Sequence, residues 1–268
     1  METNSLLQIL ITSIVQGITE FLPISSSGHL FLINKYFEWE EISLILIVTA
    51  HLGTLFAVIY YFWEDFKKYF IFGSLEIFKK NKTSNFKLLI NIFYSSMPII
   101  FFGFIIIFNK LNFIYSPLII SFSAIFFSLL LLISDKNETK RNIKDISFKD
   151  AIAIGFFQIF ALIPGSSRTG VCISCARFLG FNRICATKYS MYLSIPAILG
   201  ATLLIFFEIL KKNSFFLWIE VSLVFILSFL LAFLTISFFL KLLKKINFTI
   251  FVIYRIVIAL FFLILFYF

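Results

Sequence analysis

The side chains in this chain that could act on an anionic substrate are a carboxylate, a set of hydroxyls beside glycine, and an arginine. They gather in two short stretches. One runs Gln16-Gly17-Ile18-Thr19-Glu20-Phe21-Leu22-Pro23-Ile24-Ser25-Ser26-Ser27-Gly28-His29, and the other runs from Gln158 through Leu162-Ile163-Pro164-Gly165-Ser166-Ser167-Arg168-Thr169-Gly170. Gln16 and Glu20 are four residues apart and share one helix face. A carboxylate inside an apolar segment marks metal binding or proton handling. Beyond Pro23, Ser25, Ser26, Ser27 and Gly28 open a returning half-helix, whose amides and hydroxyls form an anion site. His29 follows, placed to act as acid or base near neutral pH. The second stretch repeats that helix start with Gly165, Ser166, Ser167, Thr169 and Gly170. It adds Arg168, the side chain suited to bidentate contact with phosphate. Together the two stretches read as a phosphate pocket. The plainer readings are a capping role for Glu20, a structural role for His29, and an Arg168–Glu20 pair that only holds the fold, although buried pairs are poor stabilisers.

Both stretches lie in strongly apolar surroundings. The 268 residues are 60% hydrophobic with a mean hydropathy of +1.01, which identifies an integral membrane protein rather than a soluble domain. The 40 phenylalanines, with abundant Ile, Lys and Asn, reflect AT-rich codon usage and carry no functional weight. The formal charge of +9 sits in short loops between apolar runs, as the positive-inside rule expects, so no nucleic-acid partner is implied. Cys172 and Cys175 form a C-x-x-C, but an apolar helix flanks them and no second pair matches, so they read as packing residues rather than a redox or metal motif. Met1-Glu2-Thr3-Asn4 lacks a positively charged leader region, so the first segment is expected to stay.

Six apolar runs, near 42–63, 86–108, 113–134, 189–210, 215–240 and 248–268, can each cross a hydrocarbon core, which takes about 20 residues. Residues 5–33 and 148–180 are apolar too, but the Pro-Ser-Gly breaks divide them into pieces too short to span. The expected fold is therefore all-α, with six transmembrane helices plus two re-entrant helix-loop-helix hairpins. Loops 64–87, 135–149, 181–188 and 241–247 hold sixteen Lys/Arg, against four in 34–41, 109–112 and 211–214. That alternation requires both hairpins to return to their own side and puts both termini outside. The first hairpin then dips from the outer face and the second from the cytoplasmic face. An inverted-topology repeat follows, within one transmembrane domain over 1–268, with halves of about 1–134 and 148–268. In such repeats the broken helices meet near the midplane and carry the substrate site. Glu220 reads as an interfacial carboxylate and Arg255 as a packing or snorkelling residue, too far apart in depth to meet. His51 is left undecided.

These residues resemble the undecaprenyl-diphosphatase, or bacitracin-resistance, family of bacterial membrane proteins. The family's (E/Q)-x-x-x-E motif is Gln16 to Glu20, its F-L-P-x-S-S-(S/T)-G-H motif Phe21 to His29, and its P-G-x-S-R-(S/T)-G motif Pro164 to Gly170. The likeness also takes in Leu52-Gly53-Thr54 and Tyr254-Arg255-Ile256. It implies hydrolysis of undecaprenyl diphosphate to the monophosphate and inorganic phosphate in the bacterial plasma membrane. That reaction recycles the lipid carrier for peptidoglycan and confers bacitracin resistance. It further implies a divalent cation, Mg²⁺ or Ca²⁺, and a site open to the periplasmic face. By resemblance Glu20, helped by Gln16, binds the metal or handles a proton, Ser26 is the candidate nucleophile, and His29 assists proton transfer. Arg168 and Ser167 hold the diphosphate, with Ser25, Ser27, Gly28, Gly165, Ser166, Thr169 and Gly170 around it. Many members carry glutamate where this chain has Gln16, which leaves one carboxylate fewer for a metal. The nucleophile is Ser26 or a water molecule, and the oligomeric state is open, a homodimer included.

The type 2 phosphatidic acid phosphatases share a Ser-Gly-His string but need motifs that this chain lacks, since Ser167-Arg168 has no following histidine. The stronger alternative is a polyprenyl-phosphate flippase, because inverted repeats with broken helices are also transporter architecture. Glu20 with His29 favours a hydrolase, as a carrier has little use for acid–base groups beside a phosphate.

Overall fold

A computed structural model of the chain describes residues 6–39, 44–76, 83–109, 116–137, 140–211 and 218–267. Met1 to Asn4, and the loop cations Lys79, Lys80, Lys82, Lys110 and Lys212, lie outside the described residues. The structure is helical throughout, and among the described residues the sole β-type pairing is an isolated bridge between Arg141 and Phe181. In chain order the helices are α1 Leu6–Thr19, α2 Ser26–Tyr36, α3 Leu44–Tyr61, α4 Trp63–Phe66, α5 Phe72–Leu75, α6 Ser84–Phe108, α7 Pro117–Asp135, α8 Phe148–Gln158, α9 Arg168–Phe178, α10 Arg183–Lys211, α11 Trp218–Leu242 and α12 Thr249–Tyr267.

A helix lies over each of the six apolar runs. Four of them, α6, α7, α11 and α12, are long and apolar enough to cross a membrane, and α3 makes a fifth if joined to the segment behind it. That segment, Trp63–Leu75, leaves α3 at 86° and contains a π-helical turn at Lys67–Ile71. Part of the stretch expected as loop 64–87 is therefore helical. Large apolar side chains cover the outside, among them Phe101, Phe108, Leu234 and Phe238, as lipid contact requires. The protein is an integral membrane protein with several spans.

Packing pairs helices across the chain: α1 and α3 lie against α11, α8 and α10 against α6, α7 against α12, and α3 against α10. Small residues set the closest approaches. A Cβ on Gly17 of α1 would meet Leu231 Cβ at 2.8 Å and Ser228 O at 3.1 Å, and one on Gly155 of α8 would meet Ser95 O at 2.7 Å. Lacking the hydrophobic effect between helices in lipid, such close packing and hydrogen bonds such as Ser95 Oγ to Ala151 O, 2.7 Å, supply the association.

Between α1 and α2, and again between α8 and α9, the helix breaks. Pro23 and Pro164 lack an amide hydrogen, and the following helices start from Ser25 (φ 72°) and Ser167 (φ 68°). The second break carries an extra 3₁₀ turn, Ile159–Leu162, and Gly165 at φ +90°, where a Cβ would fall 2.3 Å from Ile120 O and 2.4 Å from Ser123 Oγ of α7. Only glycine fits there.

Of the packing and snorkelling roles read for it, Arg255 shows the inward one. It is 2% exposed and reaches inward from α12, donating to Pro23 O at 3.2 Å, Gly165 O at 2.8 Å and Ser166 O at 2.9 Å. The freed carbonyls of two broken helices are thus satisfied by one guanidinium, whose planar fork suits such multiple donation. Away from the breaks, Asp135 ties four elements together: it pairs with Arg177 and Arg183 and accepts from Phe248 N.

Candidate active site

The end of α1 delivers Glu20. Its amide still closes a helical bond to Gln16 O at 3.1 Å, while its side chain, 8% exposed, turns toward both helix breaks. Oε2 accepts from Gln16 Nε2 at 2.8 Å and from Ser26 Oγ at 2.9 Å. Oε1 accepts from Arg168 Nη2 at 3.0 Å, and the Glu20 carbonyl accepts from Thr169 Oγ1 at 3.1 Å. One residue therefore joins the two breaks, and both of its carboxylate oxygens are occupied.

Ser25 and Ser167 are the N-caps that start the returning helices. Each accepts from the third amide of its own helix, Gly28 N at 3.3 Å and Gly170 N at 3.2 Å. Capping consumes those amides and leaves the amides of the first two helical residues without an intrahelical acceptor. Ser26 and Arg168 occupy the same first helical position of α2 and α9. Arg168 Nη1 also donates to Ser190 O of α10 at 3.2 Å, so the guanidinium is held at both ends.

These groups line one end of a cavity of about 370 Å³. Glu20, Ser25, Ser26, Ser27, Ser167, Arg168 and His51 form its polar end, and α6, α10 and the 3₁₀ turn supply apolar walls. Of the residues expected to hold a diphosphate, Ser25, Ser27, Ser167 and Arg168 are placed there. Gly28 and Gly165 line a separate small pocket beside Arg255. Ser166, Thr169 and Gly170 are buried, and among the described residues Ser166 Oγ has no partner.

Of the two histidines, the cavity is lined by the one left undecided and not by the one expected to assist catalysis. His29 lines the small pocket, not the cavity. Its Nδ1 lies 2.7 Å from Ser25 O and its Nε2 lies 2.9 Å from Tyr254 Oη. A carbonyl can only accept, so Nδ1 carries a proton, and in the neutral ring Nε2 then accepts from the tyrosine hydroxyl. His51 of α3, left undecided on sequence, faces the cavity with Nε2 3.9 Å from Glu20 Oε2. Its Nδ1 is likewise held by a carbonyl, Ile47 O at 2.8 Å. The signal that could have found it was an ionisable residue inside an apolar span.

For the divalent cation, the donor set is thin. Among the described residues no three His, Cys, Asp or Glu side chains converge. Among the described residues Glu20 is the one carboxylate lining the cavity, and donors bond both its oxygens. Gln16 is fully buried, does not line the cavity, and presents its amide NH₂ to Glu20 while its Oε1 has no partner among the described residues. Hard cations require several oxygen ligands, so these residues do not compose a resident Mg²⁺ or Ca²⁺ site.

Comparison with known proteins identifies the family. Residues 9–261 match the family described as bacitracin resistance protein BacA. The undecaprenyl-diphosphatase of Pelagibacter ubique is 39% identical over 238 residues, covering 88% of each chain. That of Campylobacter curvus is 34% identical over 239 residues, covering 87% of this chain and 88% of its own. The Geotalea daltonii protein of the same name is 39% identical over 217 residues, 78% of both chains. With nearly its whole length matched, and both helix breaks within the match, the chain belongs to the bacitracin resistance protein BacA family.

Proposed function

We propose that this protein hydrolyses undecaprenyl diphosphate to undecaprenyl phosphate and inorganic phosphate in the bacterial plasma membrane. The product is the lipid carrier for peptidoglycan synthesis, and its regeneration accounts for resistance to bacitracin. The observation that carries this reading is the Ser26–Glu20–Arg168 chain of hydrogen bonds, which closes the polar end of a cavity with apolar walls. An amphipathic diphosphate matches both ends.

In this reading Ser26 Oγ attacks the terminal phosphorus and passes its proton to Glu20 Oε2, already its hydrogen-bond acceptor. The Oγ–P bond forms, the bridging P–O bond breaks, and its electron pair leaves on the lipid monophosphate. Arg168 stands beside the charge that builds on the transferring phosphoryl oxygens. Water then cleaves the phosphoserine, releasing inorganic phosphate, and Ser26 recovers its proton. His51 Nε2 faces the cavity beside Glu20, in the place expected of His29, while His29 fixes the Ser25 carbonyl and with it the helix start. A divalent cation belongs in this account to the incoming diphosphate rather than to the protein, and substrate-free protein should show no tight Mn²⁺ binding by electron paramagnetic resonance. All groups come from one chain, so the chemistry requires no dimer.

The arrangement we infer is six spans with two re-entrant hairpins in an inverted repeat. Supporting it, exchanging α1 with α8, α2 with α9, α3 with α10, α6 with α11 and α7 with α12 carries the α1–α11 contact onto α8–α6 and the α3–α11 contact onto α10–α6. The paired helices α2 and α9 each have 11 residues, α6 and α11 each 25, and α7 and α12 each 19. The site then opens to the periplasmic side. With the native cysteines removed, a cysteine at Lys136 should resist an impermeant thiol reagent in intact cells, and labelling there would reverse the orientation.

Phosphate release from a C55 polyprenyl diphosphate by purified protein, with Mg²⁺ or Ca²⁺ and then EDTA, tests the function. Release should be lost in Arg168→Ala and Glu20→Ala. Folded protein that binds the lipid but releases no phosphate with any metal would replace hydrolysis by polyprenyl-phosphate transport.

A further inference from the structure

The proposed reaction has two steps, and the first of them uses up its base. When Ser26 Oγ attacks phosphorus, its proton moves to Glu20 Oε2, the atom to which it already donates at 2.9 Å. The departing lipid monophosphate is a stable anion that needs no proton, so Glu20 enters the second step as a neutral acid. It then returns that proton to Oγ as the phosphoserine breaks. A group that donates a proton in a step cannot take one up in the same step, so the water that cleaves the phosphoserine needs a second base.

The cavity offers one. Among the described residues its titratable lining is Glu20, Arg168 and His51. A guanidinium has no acceptor to offer, and His29 lies outside the cavity with both ring nitrogens engaged, by Ser25 O and Tyr254 Oη. In His51 a proton sits on Nδ1, because its partner there is the Ile47 carbonyl at 2.8 Å, and the lone pair of the neutral ring is left on Nε2. That nitrogen lies 3.9 Å from Glu20 Oε2, beyond hydrogen-bond distance, and has no hydrogen-bond partner among the described residues. The His51 side chain is 33% exposed against 8% for Glu20, so water reaches the imidazole more readily than the carboxylate. The spacing fits as well. Ser26 Oγ and His51 Nε2 face the same carboxylate oxygen, one within hydrogen-bond distance and the other beyond it. In-line displacement places phosphorus and then the attacking water between the serine oxygen and the base, and this offset leaves room for both.

We propose that His51 is a further catalytic residue, the general base of the second step: Nε2 takes a proton from water as the water oxygen bonds to phosphorus. The Oγ–P bond breaks, its electron pair returns to Oγ, and Oγ takes back the proton held on Glu20. Inorganic phosphate leaves with the proton gathered by His51, which restores the serine, the carboxylate and the neutral imidazole. The assignment rests on the diphosphatase reading with Ser26 as nucleophile and divides its two steps between two bases.

The experiment uses a C55 prenyl diphosphate radiolabelled at the terminal phosphorus and follows lipid monophosphate, free phosphate and label on the protein separately. His51→Gln keeps a polar side chain but has no basic nitrogen. It should release one equivalent of lipid monophosphate in a burst, retain the label as acid-stable phosphoserine on Ser26, and lower kcat about 10²-fold or more. KM should fall in proportion, with kcat/KM within threefold of wild type, because the first step is intact. Glu20→Gln, by contrast, should lower kcat/KM and trap no label. His51→Ala should trap the same adduct as His51→Gln, and added imidazole should speed its hydrolysis at least tenfold. Equal losses of kcat and kcat/KM with no trapped label, kcat within twofold of wild type, or an acid-labile label on His51 itself would each overturn the assignment. Wild-type protein that releases no phosphate would instead overturn the diphosphatase reading.

Discussion

The two helix breaks have the same backbone and opposite chemistry. Ser25 and Ser167, 142 residues apart, adopt the same unusual conformation, φ 72° ψ 92° and φ 68° ψ 108°. Each caps its third amide and begins an 11-residue helix. They are two of three non-glycine residues with positive φ among the described residues, a conformation that costs about 1–3 kcal/mol and persists where surroundings enforce it. At the next position the breaks diverge. In the first it is Ser26, a hydroxyl donating to a carboxylate; in the second it is Arg168, a cation donating to the same carboxylate. A single scaffold thus presents a hydroxyl from one side and a guanidinium from the other, and Glu20 is the point at which they meet. The lesson is that the caps build the site and the residue after each cap decides its chemistry.

The comparison breaks most completely if the two first-position residues lose their functions. Ser26→Ala and Glu20→Gln should each lower kcat by about 10²–10⁴-fold, and Arg168→Ala by about 10²–10³-fold, measured as phosphate release. Arg168→Lys should recover only part, because a point charge cannot reach Glu20 and phosphate as a planar fork does.

A second test removes what holds the two breaks in register. Arg255→Met leaves the carbonyls of Pro23, Gly165 and Ser166 without their donor, at about 1–3 kcal/mol for each that stays unsatisfied. A lower melting temperature in detergent together with a lower kcat should result, and unchanged values of both would refute the clamp.

The caps themselves sharpen the comparison. Ser25→Ala and Ser167→Ala should destabilise by similar amounts, about 0.5–2 kcal/mol each. Glycine at either position should cost less, since it removes the strain of positive φ as well as the cap. Clearly unequal losses would show that the two breaks are not equivalent supports.

The smallest effect lies outside the spans. Burial works to raise the Asp150 carboxyl, but hydrogen bonds from Arg141 and Ser147 outweigh it and its pKa lies below the usual carboxylate range. As pH falls the unfolded chain takes up this proton first, so Asp150 contributes stability above about pH 4 that is lost as pH drops through its folded value. Asp150→Asn should lower the melting temperature at pH 7, and the difference from the wild type should shrink as pH falls through the lowered folded pKa.

Much of the site was legible along the chain. Gln16 and Glu20 interact because they are four residues apart on one helix, and prolines with serine and glycine mark where helices stop and restart at membrane depth. These are local consequences of covalent geometry and of the cost of an unsatisfied backbone in lipid. The contact of Glu20 with Arg168, 148 residues away, could be guessed only from the scarcity of buried charges able to neutralise each other.

What the sequence by itself determined is the membrane-embedded helical class, the two breaks and the residue types they present, since hydropathy, proline and glycine act over a few residues. Only the tertiary structure decided which histidine faces the cavity, because that depends on the rotation of α2 and α3 against their neighbours and not on the residues beside each in the chain. It alone decided that Arg255 turns inward to three carbonyls rather than outward to the interface, and that the carboxylate of Glu20 is already full. Those outcomes depend on how distant helices pack, and packing in lipid is set by shape and polar satisfaction between segments that no local pattern encodes.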